Sequence, residues 1–114
     1  MTDRELLELA AKAAGIKIDK SIQNGAPDRS GFDMQGNVVL DWHNGKTWNP
    51  ITDDGDAFRL AVKLNLFDEN AKFTYGLAVA MNEFSEPCEA TRRAIVRAAA
   101  ELGRKPTDGA TPVK

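Results

Sequence analysis

Residues 72–82 read KFTYGLAVAMN, and the alternation of large and small side chains within them determines the predicted architecture. In an extended strand, successive side chains point to opposite faces. One face would carry only large residues, which are Phe73, Tyr75, Leu77, Val79 and Met81. The middle of the other face would carry small residues that let a helix approach closely, which are Thr74, Gly76, Ala78 and Ala80. We therefore predict a central strand over residues 72–82, with helices covering both of its faces.

Capping signals predict a helix at the start of the chain, over residues 2–14. Thr2 and Glu5 have the spacing of a capping box, in which each side chain binds a free backbone N–H group. Gly15 supplies the left-handed residue with which many helices end. The predicted buried stripe of this helix consists of Leu6, Leu9, Ala10 and Ala13.

Two more helices are predicted, one before and one after the strand in the sequence. The helix before it begins at Thr52, carries three aspartates in its first turn and ends at Asn65. The helix after it begins near Pro87, because proline is favoured in the first turn, and ends at Gly103. The predicted inner stripe of this last helix consists of Thr91, Ala94, Ile95, Ala98 and Leu102.

A β-hairpin is predicted between the first two helices. Val38, Leu40 and Trp42 alternate along one strand, and residues 46–48 form the returning strand. The Asn-Gly pair at residues 44–45 is a strong hairpin signal, because both residues tolerate positive φ.

Together these elements predict an α+β protein in the order α-β-β-α-β-α. We expect a small antiparallel sheet with helices on both faces, an α/β/α sandwich. A chain of 114 residues has the size of one domain, so residues 1–103 are predicted to form a single domain. Residues 104–114 are predicted to be a flexible C-terminal tail, and the polar residues 17–30 a long surface loop.

The composition indicates a globular, cytoplasmic protein. Hydrophobic residues make up 42% and charged residues 28% of the chain, which is typical of a folded domain. A net charge of −2 gives the whole molecule no attraction to nucleic acids or anionic membranes. The sequence contains neither the pattern of a signal peptide nor an apolar run of the roughly 18 residues that a membrane span needs. Its one cysteine, Cys88, fits a reducing compartment.

Two segments carry a resemblance to a known family. The first is Trp48-Asn49-Pro50 with the helix that follows it, and the second is ATRRAIVRAA at residues 90–99. Together they resemble the phage ABA sandwich family of small bacteriophage and prophage proteins, over about residues 48–103. The resemblance implies a sheet between helices and a phage or prophage origin. It implies no enzymatic activity.

Three sets of residues raise the question of catalysis or metal binding. His43 could act as a general base, but a solvated residue of the hairpin turn is the favoured interpretation. The aspartates at residues 53, 54 and 56 lack the spacing of a calcium loop and are better explained as first-turn charges that stabilise a helix. Cys88 lies at a predicted helix start, where a thiolate is stabilised, yet a partly buried structural thiol is favoured. We therefore predict no catalytic residue, no metal site and no cofactor.

The candidate binding residues are Trp42, His43, Arg92, Arg93 and Arg97. The three arginines form the main local concentration of positive charge and could bind phosphates, or could be a solvated face paired with acidic residues. Trp42 lies at the hairpin, where an exposed aromatic residue could anchor a partner.

The sequence predicts a non-catalytic phage or prophage accessory protein that acts by binding a protein, either a copy of itself or a host factor. A small nucleic-acid-binding protein that uses Arg92, Arg93 and Arg97 is the alternative. A cation-dependent hydrolase centred on residues 53–56 is a third, weaker hypothesis.

Overall fold

The first helix, α1, spans Asp3–Ala14, and the residues on either side of it set its ends. In the computed structural model, which describes residues 1–20, 31–67 and 71–104, the backbone N–H of Glu5 donates to Thr2 Oγ1 at 3.1 Å. The N–H of Thr2 donates in return to Glu5 Oε1 at 2.8 Å. Gly15 follows with a left-handed φ of 71°. The predicted capping box and helix end are therefore confirmed.

The buried face of α1 lies one residue further along than predicted. It consists of Leu7, Ala10, Ala11 and Ala14. Leu6, Leu9 and Ala13 are half-buried at its border. The three alanines allow another helix to pack closely against α1, so small residues rather than the largest ones occupy the contact.

The predicted hairpin is present, with strand β1 at Val38–Asp41 and strand β2 at Lys46–Trp48. The strands are antiparallel, and their register shifts between Val39 and Asp41. The connection is a four-residue loop rather than a two-residue turn, because Asp41 pairs directly with Lys46. Within the loop only Gly45 has positive φ, at 68°. The Asp41 carboxylate holds the loop by accepting the backbone N–H groups of His43 and Asn44.

The second helix, α2, spans Asp54–Lys63. Its N-cap is Asp53 rather than the predicted Thr52, since Asp53 Oδ2 accepts the N–H of Asp56 at 2.8 Å. At the other end, Asn65 has a left-handed φ of 59°, which confirms it as the residue that closes the helix. The chain reverses there, and Leu66 donates back to the carbonyl of Ala61.

The predicted central strand over residues 72–82 is wrong, because this segment belongs to a third helix, α3, at Ala71–Glu83. Phe73 and Ala80 are buried, and Leu77 and Phe84 pack against the core, so the inward residues recur with helical spacing. The alternating pattern would have buried three other residues, which are instead exposed: Tyr75 at 74%, Val79 at 37% and Met81 at 48%. The high helix propensity of alanine also favours a helix here.

The element order is therefore α-β-β-α-α-α instead of α-β-β-α-β-α. The α+β class and the small antiparallel sheet are confirmed. The predicted α/β/α sandwich required residues 72–82 as its central strand. Because this segment is helical, the sheet consists of β1 and β2 within the described residues.

The last helix, α4, spans Pro87–Arg104, and each of the other three helices packs against it. Its buried residues are Ala90, Ala94, Ile95, Val96, Ala99, Ala100 and Gly103. Gly103 was predicted to end the helix, but it lies inside it, against the backbone of Leu9 in α1. Leu102, predicted as part of the inner stripe, is 40% exposed. Small residues allow α4 to lie at the centre of the helices.

The limits of α4 also bear on the predicted tail. Arg104 is the last residue of α4, and residues 105–114 of the predicted tail lie outside the described residues. The same holds for residues 21–30 of the predicted loop. None of the helices in the described ranges combines the length and hydrophobicity of a membrane-spanning segment.

Candidate functional site

Arg92 of α4 binds the segment that leads into α2. Its Nε donates to the backbone carbonyl of Ile51 at 2.7 Å, and its Nη1 donates to Asp54 Oδ1 at 2.6 Å. The arginine side chain is 18% exposed, whereas the aspartate is 73% exposed. Arg92 thus joins α4 to the start of α2.

Arg93 and Arg97 of α4 bind two different elements. Arg93 donates through both terminal nitrogens to the carboxylate of Asp3 in α1, at 2.6 and 3.2 Å. Arg97 donates to Glu83 at the end of α3 at 2.5 Å, and this hydrogen bond lowers the pKa of Glu83. Both guanidinium groups also lie over the ring of Phe84, at 5.3 and 5.6 Å from its centroid.

The three arginines are therefore internal connections. Each is paired with a carboxylate of the same chain, so its charge is already compensated. A phosphate would have to compete with these pairs. The sequence identified the residues correctly as a cluster, and the interpretation as paired side chains describes them better than the interpretation as a free phosphate-binding stripe.

Trp42 and His43 lie in the hairpin loop, and the structure gives them different roles. The indole Nε1 of Trp42 donates to the carbonyl of Asp19 at 3.0 Å, and its backbone N–H donates to Asp19 Oδ2 at 3.0 Å. Trp42 is half-buried and holds residues 17–20 beside the hairpin. The side chain of His43 is exposed. Among the described residues, Trp42 binds Asp19 and the backbone of His43 binds Asp41. The three arginines bind other carboxylates, so the two groups of candidate residues do not share a hydrogen-bond network.

The aspartates at the start of α2 are engaged separately. Asp53 caps the helix and Asp54 binds Arg92. Asp56 binds Arg59 at 2.8 Å and accepts the N–H of Asn49 at 2.9 Å. Across the described ranges, no group of three or more His, Cys, Asp or Glu side chains is arranged to hold a metal ion. The three carboxylates have structural roles.

Cys88 is exposed, so the prediction of a partly buried thiol is wrong. The charges of Glu86 and then Asp54 raise the pKa of the Cys88 thiol. Glu86 remains charged because its carboxylate accepts the backbone N–H groups of Glu89 and Cys88, which lower its own pKa. The negative charge next to the sulfur disfavours the thiolate that a nucleophile requires.

A groove between α2 and α4 was not predicted from the sequence. It encloses about 320 Å³ and is lined by Asp54, Ala57, Phe58, Phe67, Pro87, Cys88, Thr91, Arg92 and Ile95. We call it the aromatic groove. Phe58 and Phe67 are 60% and 54% exposed, although their ring centroids lie only 5.9 Å apart. The ring of Phe67 also contacts buried Phe73 at 6.1 Å, which anchors this wall in the core.

Sequence patterns contained part of the information needed to find this groove. Phe58 lies at the border of the apolar stripe of α2, which suggests partial exposure. Phe67 follows the left-handed turn at Asn65, and this turn carries it back beside Phe58. The spacing alone did not reveal that both rings would face the N-terminal part of α4.

Comparison of the chain with protein-family models, with curated proteins and with solved structures returns no match.

Proposed function

We propose that this protein is a non-catalytic phage or prophage accessory protein that acts by binding a host protein through the aromatic groove. The exposed pair of phenylalanine rings is the observation that supports this most directly. Two large apolar side chains gathered in a concave surface are typical of an interaction site. Aromatic residues that fill pockets supply much of the binding energy at protein interfaces.

Charged side chains lie at the mouth of the groove, next to its apolar surface. Asp54 and Arg92 form an ion pair at its edge, and the charge of Glu86 lies close to Cys88. A partner segment that inserts an apolar side chain would meet polar groups at the rim, the arrangement found in many protein interfaces.

A non-catalytic role agrees with the way that the reactive groups are distributed. The exposed thiol lies in a negative field, the aspartates cap or pair with other residues, and His43 lies in the hairpin loop. A nucleophile needs a base within hydrogen-bonding distance and a group that orients that base. The phage origin is supported by the motifs at residues 48–50 and 90–99.

Nucleic-acid binding is the less well supported alternative. Phosphate contacts need accessible cations, whereas Arg92, Arg93 and Arg97 are each bound to a carboxylate. The affinity for a labelled DNA or RNA duplex, measured over a series of salt concentrations, distinguishes the two functions. Tight binding with a steep salt dependence would favour the alternative.

The proposed function is tested by affinity capture with two matched variants on α2. Phe58→Glu places a charge in the groove, whereas Val62→Glu makes the same change at a residue that is 55% exposed and does not line it. We expect a host protein that the wild type and Val62→Glu capture but Phe58→Glu does not. The purified partner should then bind Phe58→Glu at least about tenfold more weakly, a loss of about 1.4 kcal/mol. Equal binding to all three proteins would refute the groove as the binding site.

A further inference from the structure

The mouth of the aromatic groove carries more negative than positive charge. Asp54 and Arg92 are the charged side chains that line it. Glu86 lies beside it, because its carboxylate accepts the backbone N–H of the lining residue Cys88 at 3.1 Å. Among the described residues Glu86 has no ion-pair partner. Two carboxylates and one guanidinium group therefore leave an excess of negative charge at the mouth.

The carboxylates are also more accessible than the guanidinium group. The side chain of Asp54 is 73% exposed, whereas that of Arg92 is 18% exposed. Arg92 is held from within the fold, since its Nε donates to the carbonyl of Ile51 and its Nη1 donates to Asp54. Glu86 is exposed as well. A partner that approaches the groove therefore meets carboxylates first.

The thiol of Cys88 shows the sign of the potential inside this mouth. The charges of Glu86 and then Asp54 raise the pKa of the thiol, and the opposing effect of Arg92 is the smallest of the contributions. The electrostatic potential at this wall of the groove is therefore negative. Such a potential attracts a positively charged partner and repels a negatively charged one.

The inner surface of the groove is apolar and suits a side chain that also tolerates a nearby cation. Ala57 and Ile95 are buried beneath it, and the rings of Phe58 and Phe67 form an exposed wall. Its volume of about 320 Å³ is at the small end of the range for ligand pockets, roughly 300–1,000 Å³. The faces of aromatic rings carry partial negative charge, so they attract cations as well as apolar groups.

We propose that the host-protein segment that binds in the aromatic groove is positively charged. An apolar side chain of this segment packs against Phe58 and Phe67, and a neighbouring lysine or arginine pairs with Asp54 and Glu86. An acidic segment would lose this pairing and would be repelled by both carboxylates. This partner chemistry rests on the proposed function, because it describes the occupant of the same groove.

A library of random peptides displayed on yeast tests the charge of the occupant. The library is sorted for binding to the full chain and then sorted against Phe58→Glu, so that only groove-dependent peptides remain. Relative to the unsorted library, we expect these peptides to be enriched in lysine and arginine next to apolar residues and depleted of aspartate and glutamate.

Glu86→Gln tests the carboxylate at the mouth. Glutamine keeps an oxygen that can accept the backbone N–H groups but removes the charge. A selected peptide should bind this variant about two- to fivefold more weakly than the wild type in fluorescence anisotropy, the effect of one exposed ion pair. Added salt should reduce the difference. Glu101→Gln is the matched control on α4, because Glu101 is also exposed but does not line the groove, and it should bind like the wild type.

Three outcomes would overturn the positively charged occupant and leave the proposed function standing. They are groove-dependent peptides that are neutral or acidic, equal binding by Glu86→Gln and the wild type, and a library that yields no groove-dependent peptide. The proposed function fails by a different measurement, the capture of the same host protein by Phe58→Glu and the wild type. Far-UV circular dichroism shows whether each variant is folded. If Glu86→Gln is not folded, Asp54→Asn provides the same test at the other carboxylate.

Discussion

Helices α3 and α4 pack against each other, yet they contact their surroundings in opposite ways. The outward-reaching arginines of α4 are bound to α1, α3 and the start of α2, so that its charged side chains are used within the fold. On α3 the inner side is buried, while the opposite side, formed by Tyr75, Ala78, Val79 and Asn82, is uncharged and exposed. The more apolar of the two helices is thus the peripheral one. Small residues, rather than hydrophobic content, placed α4 at the centre, because alanine and glycine allow three helices to approach it.

The largest expected effect tests the close approach at the centre. Gly103→Ala should lower the free energy of unfolding by about 3 kcal/mol, the upper end of the usual cost of overpacking. The added carbon would lie 2.8 Å from the carbonyl carbon of Leu9, and a backbone contact relaxes less easily than a side chain. Urea denaturation measures the change. An effect near zero would show that α1 and α4 can move apart far enough to accommodate the added methyl group at little cost.

The next effect concerns the arginine links of α4. Arg93→Met should lower the free energy of unfolding by about 1 kcal/mol, since it removes a two-bond contact with a partly exposed partner and a contact with Phe84. In the wild type, the Nε of Arg93 is buried without an acceptor among the described residues, and this cost offsets part of the stabilisation by the ion pair with Asp3. Arg104→Met is the matched control, because its pair with Glu101 is 3.3 Å long and exposed. Equal losses for both would contradict a special role for Arg93.

A stabilising change is expected on α3. Gly76→Ala should raise the free energy of unfolding by about 0.5 to 1 kcal/mol, because glycine inside a helix is less favourable than alanine. The space around Gly76 is open, unlike that around Gly103. Thermal unfolding of the wild type and the variant measures the change. Destabilisation there would show that residue 76 is already closely packed.

The smallest effect concerns the link between the two helices. The hydrogen bond from Arg97 lowers the pKa of Glu83, so the folded state holds the charged carboxylate more strongly than the unfolded state does. The resulting stability is present above the ordinary carboxyl pKa, about 4.3, and is lost as the pH falls through the lowered value. The difference in Tm between the wild type and Glu83→Gln should therefore shrink as the solution is acidified below about pH 4. In an Arg97→Met background, the pH dependence of this difference should disappear.

Local chemistry made much of this fold predictable. The capping box of Thr2 and Glu5 and the left-handed residues Gly15 and Asn65 act over three or four residues, and all appear as expected. The start of α2 was missed by one position, because Thr52 and Asp53 are both good caps. Residues 72–82 were misassigned because an alternating pattern and a helical stripe share Phe73 and Leu77. The exposure of the remaining large residues decided between them.

The candidate site was harder to predict for a different reason. Arg92, Arg93 and Arg97 were recognisable as a group, but their partners are distant in the sequence. Asp54 lies 38 residues from Arg92, and Asp3 lies 90 residues from Arg93. Pairing at such separations depends on how the helices pack. The aromatic groove likewise exists only after α2 and its closing turn have docked on α4.

The link between Asp3 and Arg93 has a consequence for biosynthesis. The apolar face of α1 is translated near the beginning of the chain, but its covering surface on α4 emerges about 90 residues later. At about 5–20 residues per second, the ribosome needs roughly 5–20 s to produce that surface. During this interval the nascent helix must keep Leu7 and its neighbouring alanines away from other chains. Translation speed therefore determines how long the apolar face of α1 stays exposed before α4 can bury it.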